Sequence, residues 1–456
     1  MALPSESECR ALLEKTLAKS KADECQASLL GARQGNLRLA RNTVSTSGGS
    51  DTLSLVIRCN VGKKTGLTSV NEFDDASLEK AVRQAEELAR LAPDNPEFIE
   101  FTGPQKFVEP ASAAAKTAAM TQNDRVNACA ASIAVCKEQK LTGAAFLADH
   151  NAVSAVANSR GLFGYQRTTG IQYSITTRTE DGRGSGYKAA DFTDAGKLDT
   201  TAITRIAARK AVMSQAPRAI EPGKYTVVLE PAAGVALVNL MVSAMDARLA
   251  EEGRSFLSKG GGATRLGDKI VDERVHLYND PMNPELPGAK WALDGRAQKR
   301  VDWVKGGVVE NMSYTRYWAR NKGVEDKAAP DARSGWIGGD RIGGFDGESG
   351  AMMAGGEASL EELIKSVRRG VLVTRFWYIR AVDPQTLLYT GLTRDGTFYI
   401  ENGELKFPIK NFRFNESPVI MLNNVEALGR PERVNASLIP PMVLRDFTFS
   451  SLSDAV

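Results

Sequence analysis

The side chains best suited to metal or nucleophile chemistry are scarce in this sequence and poorly spaced for it. There are two histidines, His150 and His276, 126 positions apart, and five cysteines, all before residue 137. From residue 151 onward His276 is the one histidine and no cysteine occurs. Protein zinc sites draw mainly on imidazole and thiolate, so composition excludes a His/Cys zinc site built within that stretch. A carboxylate site for Mg²⁺ or Ca²⁺ stays open. Asp280, Glu285, Asp340 and Asp346 are scattered, however, and solvated loops explain them. Cys129 and Cys136 share one helical face, and His150 is the nearest histidine, so a Cys–His nucleophile can be drawn. Small residues on the apolar stripe of a packed helix explain the same spacing better. His276, in "ERVHLYNDP", reads as a hydrogen-bonded residue on a strand. No G-x-S-x-G elbow occurs, and the Gly-rich run 334–359 lacks both phosphate-binding spacings. That run reads as a loop over a cleft, with its acidic residues as the material for any unrelated chemistry.

These residues must be positioned by elements, and the segment "VALVNLMVSAMDARL" (235–249) is the most distinctive. It is apolar on nearly every side and follows a Pro-led strand-to-helix junction at Pro231, where a missing N–H costs nothing. The expected helix runs over 232–252 and is buried.

The first half looks duplicated. "CRALLEKTL" places Cys9, Leu12, Leu13 and Leu17 on one helical face, and "VNACAASIA" places Val126, Cys129, Ala130, Ile133 and Ala134 on the same spacing. After each comes an apolar run and a turn, "LLGARQGN" and "AAFLADHN". Then come two hairpins, one turning near Gly62–Lys64 and one at Asp181-Gly182, a type I′ signal. Each copy closes on an amphipathic helix: Leu78, Ala81, Val82, Ala85, Leu88 and Ala89 in the first, Ile203, Ile206, Ala207 and Ala211 in the second. The Pro/Ala-rich run 103–120 reads as the linker between repeats at about 1–102 and 121–214. A second boundary near 220 precedes a β-rich half (221–456), with hairpin signals at Asp395-Gly396 and Asn402-Gly403. The expected class is α+β: duplicated sheet-and-helix repeats (1–220), then a barrel-like domain carrying the 232–252 helix.

The totals limit the partners. A formal net charge of +3 with no Lys/Arg run gives no basis for a nucleic-acid or membrane partner. No window of about 18 uncharged apolar residues could span a bilayer, and the N-terminus lacks a signal-peptide core. Five cysteines without a short C-x-x-C pair read as reduced thiols of a cytoplasmic protein.

Several strings in a fixed order carry a family resemblance. They are "NVGKKTGLTSVNEFDDASLEKAVRQAEELARLAPDNPEF" and "VANSRGLFGYQ", then "GRSFL" and "LGDKIVDERVHLYNDP", then "SLEELIKSVRRGVLV", "YIENGELKFPIKN" and "IPPMVLRDFTFS". Together the chain resembles the TldD/PmbA (TldE) family over nearly its whole length. The resemblance implies a zinc helix bearing H-E-x-x-x-H and a late cysteine in catalytic members. Laid onto this chain, those positions hold Asn239, Leu240 and Ala244, and the late segment "ALGRPERVNASLIPP" has no cysteine. It therefore implies a TldE-like member without a metal of its own: a non-catalytic subunit in proteolysis of small or unfolded peptides. Zinc would be expected in a TldD-like partner, met as a heterodimer. The competing expectation is a self-associating, homodimeric peptide-binding scaffold. Arg254 and Ser255 in "GRSFL" are the candidate substrate contacts, against a plain role in fixing the helix end.

Overall fold

The computed structural model describes residues 2–325, 329 and 350–453. Asp340, Asp346 and most of the Gly-rich run lie outside them.

The first repeat is α1 (Glu6–Leu17), β1 (Glu24–Ala40), β2 (Thr43–Val61), β3 (Lys64–Val70) and α2 (Asp75–Leu91). After a short helix, α3 (Ala115–Ala118), the second is α4 (Gln122–Glu138), β4 (Leu141–Asn158), β5 (Phe163–Thr179), β6 (Ser185–Phe192) and α5 (Thr200–Met213). The duplication is thus present as helix, three strands, helix, twice. The six strands form one sheet in the order β3-β2-β1-β4-β5-β6, with β1 and β4 antiparallel at its centre. Side chains alternate along a strand. Cys25, Ala27 and Leu29 of β1 enter one apolar cluster with α1 and α2, and Leu37 and Leu39 enter a second with α4 and α5. All five are odd-numbered, so the helices cover one face.

The two repeats also share a close contact. A Cβ added to Gly66 of β3 would lie 2.1 Å from the Ala85 carbonyl of α2, and one added to Gly186 of β6 would lie 2.0 Å from the Ala207 carbonyl of α5. Each helix backbone rests on its strand through a missing side chain. Gly186→Ala and Gly66→Ala are each expected to cost about 3 kcal/mol, because backbone must move rather than a side chain. Gly103→Ala, with open space around it, is the neutral control; urea midpoints of the three variants check this.

Four local readings are corrected. The turns expected within "LLGARQGN" and "AAFLADHN" do not exist: β1 and β4 run straight through, pairing Gly35 with Asp149. Strand pairing on both sides overrides the polar residues there, and Gly35 makes room for the Arg125 guanidinium, which would lie 1.9 Å from an added Cβ. The buried stripe of α4 is Cys129, Ser132, Val135 and Cys136, and Val126, Ala130 and Ala134 face outward. Ser132 is inside because the Tyr173 hydroxyl bonds it at 2.7 Å. Asp181-Gly182 sits in a loop of residues 180–184 in which Gly182 alone has positive φ, 73°. Asp395-Gly396 is a bulge inside a strand, with φ 57° and 117° and a register shift opposite. Asn402-Gly403, by contrast, is the expected two-residue hairpin turn, with φ 51° and 78°. The 103–120 run is docked, its Ser112 and Ala114 bonding Thr169 of β5.

The second half continues with β7 (Gly223–Leu229), α6 (Pro231–Ser243), α7 (Ala247–Glu251), β8 (Leu277–Asn279), β9 (Val301–Lys305), β10 (Val308–Val309) and α8 (Arg316–Asn321). Then come β11 (Met352–Met353), α9 (Leu360–Ser366), β12 (Arg369–Asp383), β13 (Leu388–Glu401), β14 (Glu404–Pro408) and β15 (Phe412–Glu416). It ends with α10 (Pro418–Asn423), β16 (Val425–Leu428), β17 (Glu432–Val434), β18 (Ser437–Ile439) and β19 (Met442–Leu452). β12-β7-β19-β15-β13 pair in sequence and close through β12–β13 into a five-stranded barrel. A second sheet runs β10-β9-β8-β11-β18-β17. The barrel interior and α6 share one apolar cluster that includes Val227, Leu237, Met241, Phe414 and Phe447.

Candidate functional site

The site is built on α6. Glu230 is its N-cap residue and Pro231 opens its first turn. Pro231, Ala233–Val235, Leu237–Asn239, Met241 and Val242 are buried, while Ala232, Ala236, Leu240 and Ala244 are partly exposed. Four-residue spacing puts the latter on one outward stripe. The single helix expected over 232–252 is broken: α6 stops at Ser243 and α7 begins at Ala247. Asp246 caps α7 by accepting from the Leu249 N–H at 2.8 Å, and Ser313 bridges the gap through Met245 and Ala247.

Asn239 turns inward and meets Ser437 at the start of β18. Asn239 Nδ2 donates to Ser437 Oγ at 3.0 Å, and both residues are almost fully buried. The Ser437 hydroxyl has two acceptors in reach, Asn239 Oδ1 at 3.2 Å and Asn435 O at 3.3 Å. Leu240 and Ala244 pack on the rim of the main cluster. The helix and the late segment therefore meet here, 198 positions apart. The groups they bring are an amide, a hydroxyl and two hydrocarbon side chains, a donor set that does not fit zinc. Among the described residues no three His, Cys, Asp or Glu side chains cluster as a metal site.

The turn before Ser437 is held from the N-terminal domain. Asn435 and Ala436 both have left-handed φ, 48° and 51°. Asp191 of β6 accepts from the Ala436 N–H at 3.3 Å and pairs with Arg433 at 2.6 Å. Arg433 also donates to Thr193 and to the Glu285 carbonyl, and Lys188 pairs with Glu432 at 2.6 Å. Below Arg433, His150 of β4 is held down to a pKa of about 4, first by burial and then by the Arg433 charge. The base of α6 is tied the same way: Lys210 of α5 pairs with Glu230 at 2.6 Å, both nearly buried. None of these cross-domain pairs had a sequence signal, since each joins residues with no local pattern.

The other candidates fall elsewhere. Arg254 is exposed and pairs with Glu252, whereas Ser255 is buried in its own turn, its Oγ accepting from the Leu257 N–H at 3.2 Å. His276 bonds Asp302 at 2.9 Å, as a hydrogen-bonded residue beside β8. Burial pushes the Cys129 and Cys136 thiols up to about 11, which disfavours the thiolate a nucleophile needs. Asp280 faces Arg300 at 3.5 Å and Glu285 faces Lys197 at 2.9 Å. One cluster was missed: Trp377, Tyr378 and Val382 are exposed on the outer half of β12, with Arg375 and Arg394 against Trp377.

Models of the PmbA/TldA metallopeptidase domain 1, central domain and C-terminal domain match residues 27–89, 102–215 and 222–451. The chain belongs to the PmbA/TldD metallopeptidase family. It is 25% identical over 298 residues to a Methanothermobacter thermautotrophicus protein named Metalloprotease, covering 63% of this chain and 62% of that one. It is 22% identical over 225 residues to Metalloprotease PmbA of Escherichia coli O157:H7, covering 49% and 44%. The matches thus span less than two thirds of these relatives. Among solved structures, TldE from Thermococcus kodakarensis superposes with a TM-score of 0.84 at 19% identity, covering 97% of this chain and 99% of that one. A Thermotoga maritima protein named for DNA-gyrase modulation gives 0.84 at 18% identity, covering 97% and 100%. At that identity these two establish the fold alone.

Proposed function

We propose that this chain is a non-catalytic, TldE-like subunit of a PmbA/TldD-type metallopeptidase complex acting on small or unfolded peptides. The observation that carries this reading is the Asn239–Ser437 contact. The helix and late segment are assembled as a site would need, and the groups that meet are a satisfied amide–hydroxyl pair. A buried polar pair of that kind is a packing solution, and Leu240 and Ala244 add no donor. On this reading hydrolysis requires zinc in a TldD-like partner of a cytoplasmic heterodimer, and this chain walls the chamber. Arg254, outward-facing after α7, is the candidate contact to a substrate carboxylate or carbonyl. Purified alone with added zinc, the chain is expected to retain no stoichiometric metal and to leave casein and short peptides intact. Robust, chelator-sensitive hydrolysis by the single chain would overturn the reading.

A second reading, self-association as a peptide-binding scaffold, draws on β2. Residues Thr43–Ser50 are exposed on both faces, and among the described residues no strand pairs with their outer edge, because β3 begins pairing only at Leu55. A long open edge is a template for strand addition by an extended peptide or a second chain. Native size of the pure protein separates the two: a monomer that doubles in mass only with a TldD-like chain supports the first, and a homodimer indifferent to that chain supports the second.

A further inference from the structure

Cys25 and Cys59 form a pair that neither the family assignment nor the proposed role uses. They lie directly opposite each other on β1 and β2, with Sγ atoms 3.7 Å apart. Both are almost fully buried. The kind of cross-strand pair follows from the backbone. Cys25 N–H donates to Ser159 Oγ at 3.0 Å, and its carbonyl accepts from the Ser159 N–H at 2.8 Å. Both of its backbone groups therefore point toward the β4 side, away from β2. Cys25 and Cys59 are then a non-hydrogen-bonded pair, the narrow kind, with Cα atoms roughly 4.5 Å apart. That spacing lies inside the range a disulfide spans. The thiols have only to turn toward each other, with no movement of the sheet.

We propose that Cys25 and Cys59 are a peroxide-oxidisable dithiol that closes into a cross-strand disulfide. Cys59 is the better first nucleophile because the Cys25 sulfur, 3.7 Å away, hydrogen-bonds it and holds its thiol below the usual cysteine range, while the nearby Ser20 hydroxyl donates to the Glu86 carboxylate at 3.1 Å. Helices α1 and α2 pack over the pair, and half-buried Ser20, in the short loop between α1 and β1, marks its edge toward solvent. Hydrogen peroxide, little larger than water, is the oxidant that such a cover admits. The Cys59 thiolate attacks one peroxide oxygen, the O–O bond breaks, and the released hydroxide takes up a proton as water. The Cys25 sulfur then attacks the sulfur of the resulting sulfenic acid. The S–S bond forms, the S–O bond breaks, and a second water leaves. Two thiols and one peroxide yield one disulfide and two waters. Cys129 and Cys136 lie on α4 in a separate cluster and serve as internal controls. The disulfide would clamp the base of the β1–β2 hairpin, whose far end carries the exposed strand Thr43–Thr52.

The test uses the full chain treated with hydrogen peroxide, then denatured, alkylated and mapped by mass spectrometry. Two of the five thiols are expected to be lost, to return with dithiothreitol, and to be found in a peptide joining Cys25 to Cys59. The urea midpoint of the oxidised protein should move up, since the cross-link constrains the unfolded chain. In Cys25→Ala, dimedone should label Cys59 and no intramolecular disulfide should form. Five thiols surviving in the wild-type protein, or a linkage through any other cysteine, would refute the pair; the wild-type map decides this even should the variant fail to fold.

Discussion

Glu230→Ala is expected to lower folding stability by about 3–5 kcal/mol, the cost of breaking a buried ion pair by removing one partner. Glu230 sits where β7 passes into α6 and is almost fully buried. Its carboxylate receives Lys210 Nζ at 2.6 Å and the Thr374 hydroxyl at 3.2 Å. Lys210 Nζ also reaches the Tyr187 carbonyl at 3.3 Å. Without Glu230 that ammonium keeps one neutral acceptor in a buried setting, and burial already drives its pKa down. Alanine also removes a negative charge from the N-terminus of α6, where the helix dipole favours one. The pair as a whole contributes far less than either half, because both ions were desolvated to form it. Lys210→Met combined with Glu230→Ala should therefore recover most of the loss. A double-mutant cycle in urea measures this, and a single-variant cost below 1 kcal/mol would show that water reaches the pair. The pair also ties α5 of the N-terminal domain to the root of α6, so Glu230→Ala should loosen the helix before it unfolds the sheet.

The second large effect is a loss of stability in mild acid that comes from His150. Its folded pKa of about 4 lies below the ordinary histidine value near 6.5. The unfolded chain therefore binds a proton between those values that the folded chain refuses. Stability is undiminished above about pH 7, falls as pH drops through 6.5, and stops falling from this source near pH 4. At about 1.4 kcal/mol per pKa unit, the loss amounts to roughly 3 kcal/mol. The ring lies against Gly170, where an added Cβ would come within 2.5 Å of it, and near the Arg433 guanidinium. It cannot swing out without disturbing the residues that pin the Ser437 turn. His150→Gln should flatten the wild-type slope between pH 6.5 and 4 while carboxylate effects at lower pH persist. Urea unfolding of both proteins at several pH values reads the difference directly. An unchanged slope in His150→Gln would assign the effect elsewhere.

Local pattern carried much of the fold. The stripes of α1, α2 and α5 were legible because each helix buries one face on the sheet, so burial imposes a 3.6-residue period; Leu88 of α2 departs from it, being exposed, while Glu86 is buried. α4 misled because alanines spread over its whole surface leave the period weak, and the choice of inward face fell to Ser132 and Tyr173. Asn402-Gly403 was legible since a two-residue turn demands two left-handed residues. Asp395-Gly396 carries the same signal, but the barrel needs its left-handed pair as a bulge inside β13 instead.

By itself, the sequence determined the α+β class, the duplicated first half, the family resemblance, and, from residue 151 onward, the lack of cysteine and of any histidine but His276. These are matters of residue type and period, which a linear string states outright. Only the tertiary structure decided that α6 ends at Ser243, that Asn239 turns onto Ser437, and that Lys210, Asp191 and Arg433 fasten the two domains around that contact. It also decided that Cys25 faces Cys59 across a narrow pair. Each of these depends on which backbone groups already have partners and on residues far apart in the chain, and neither quantity is written into local periodicity.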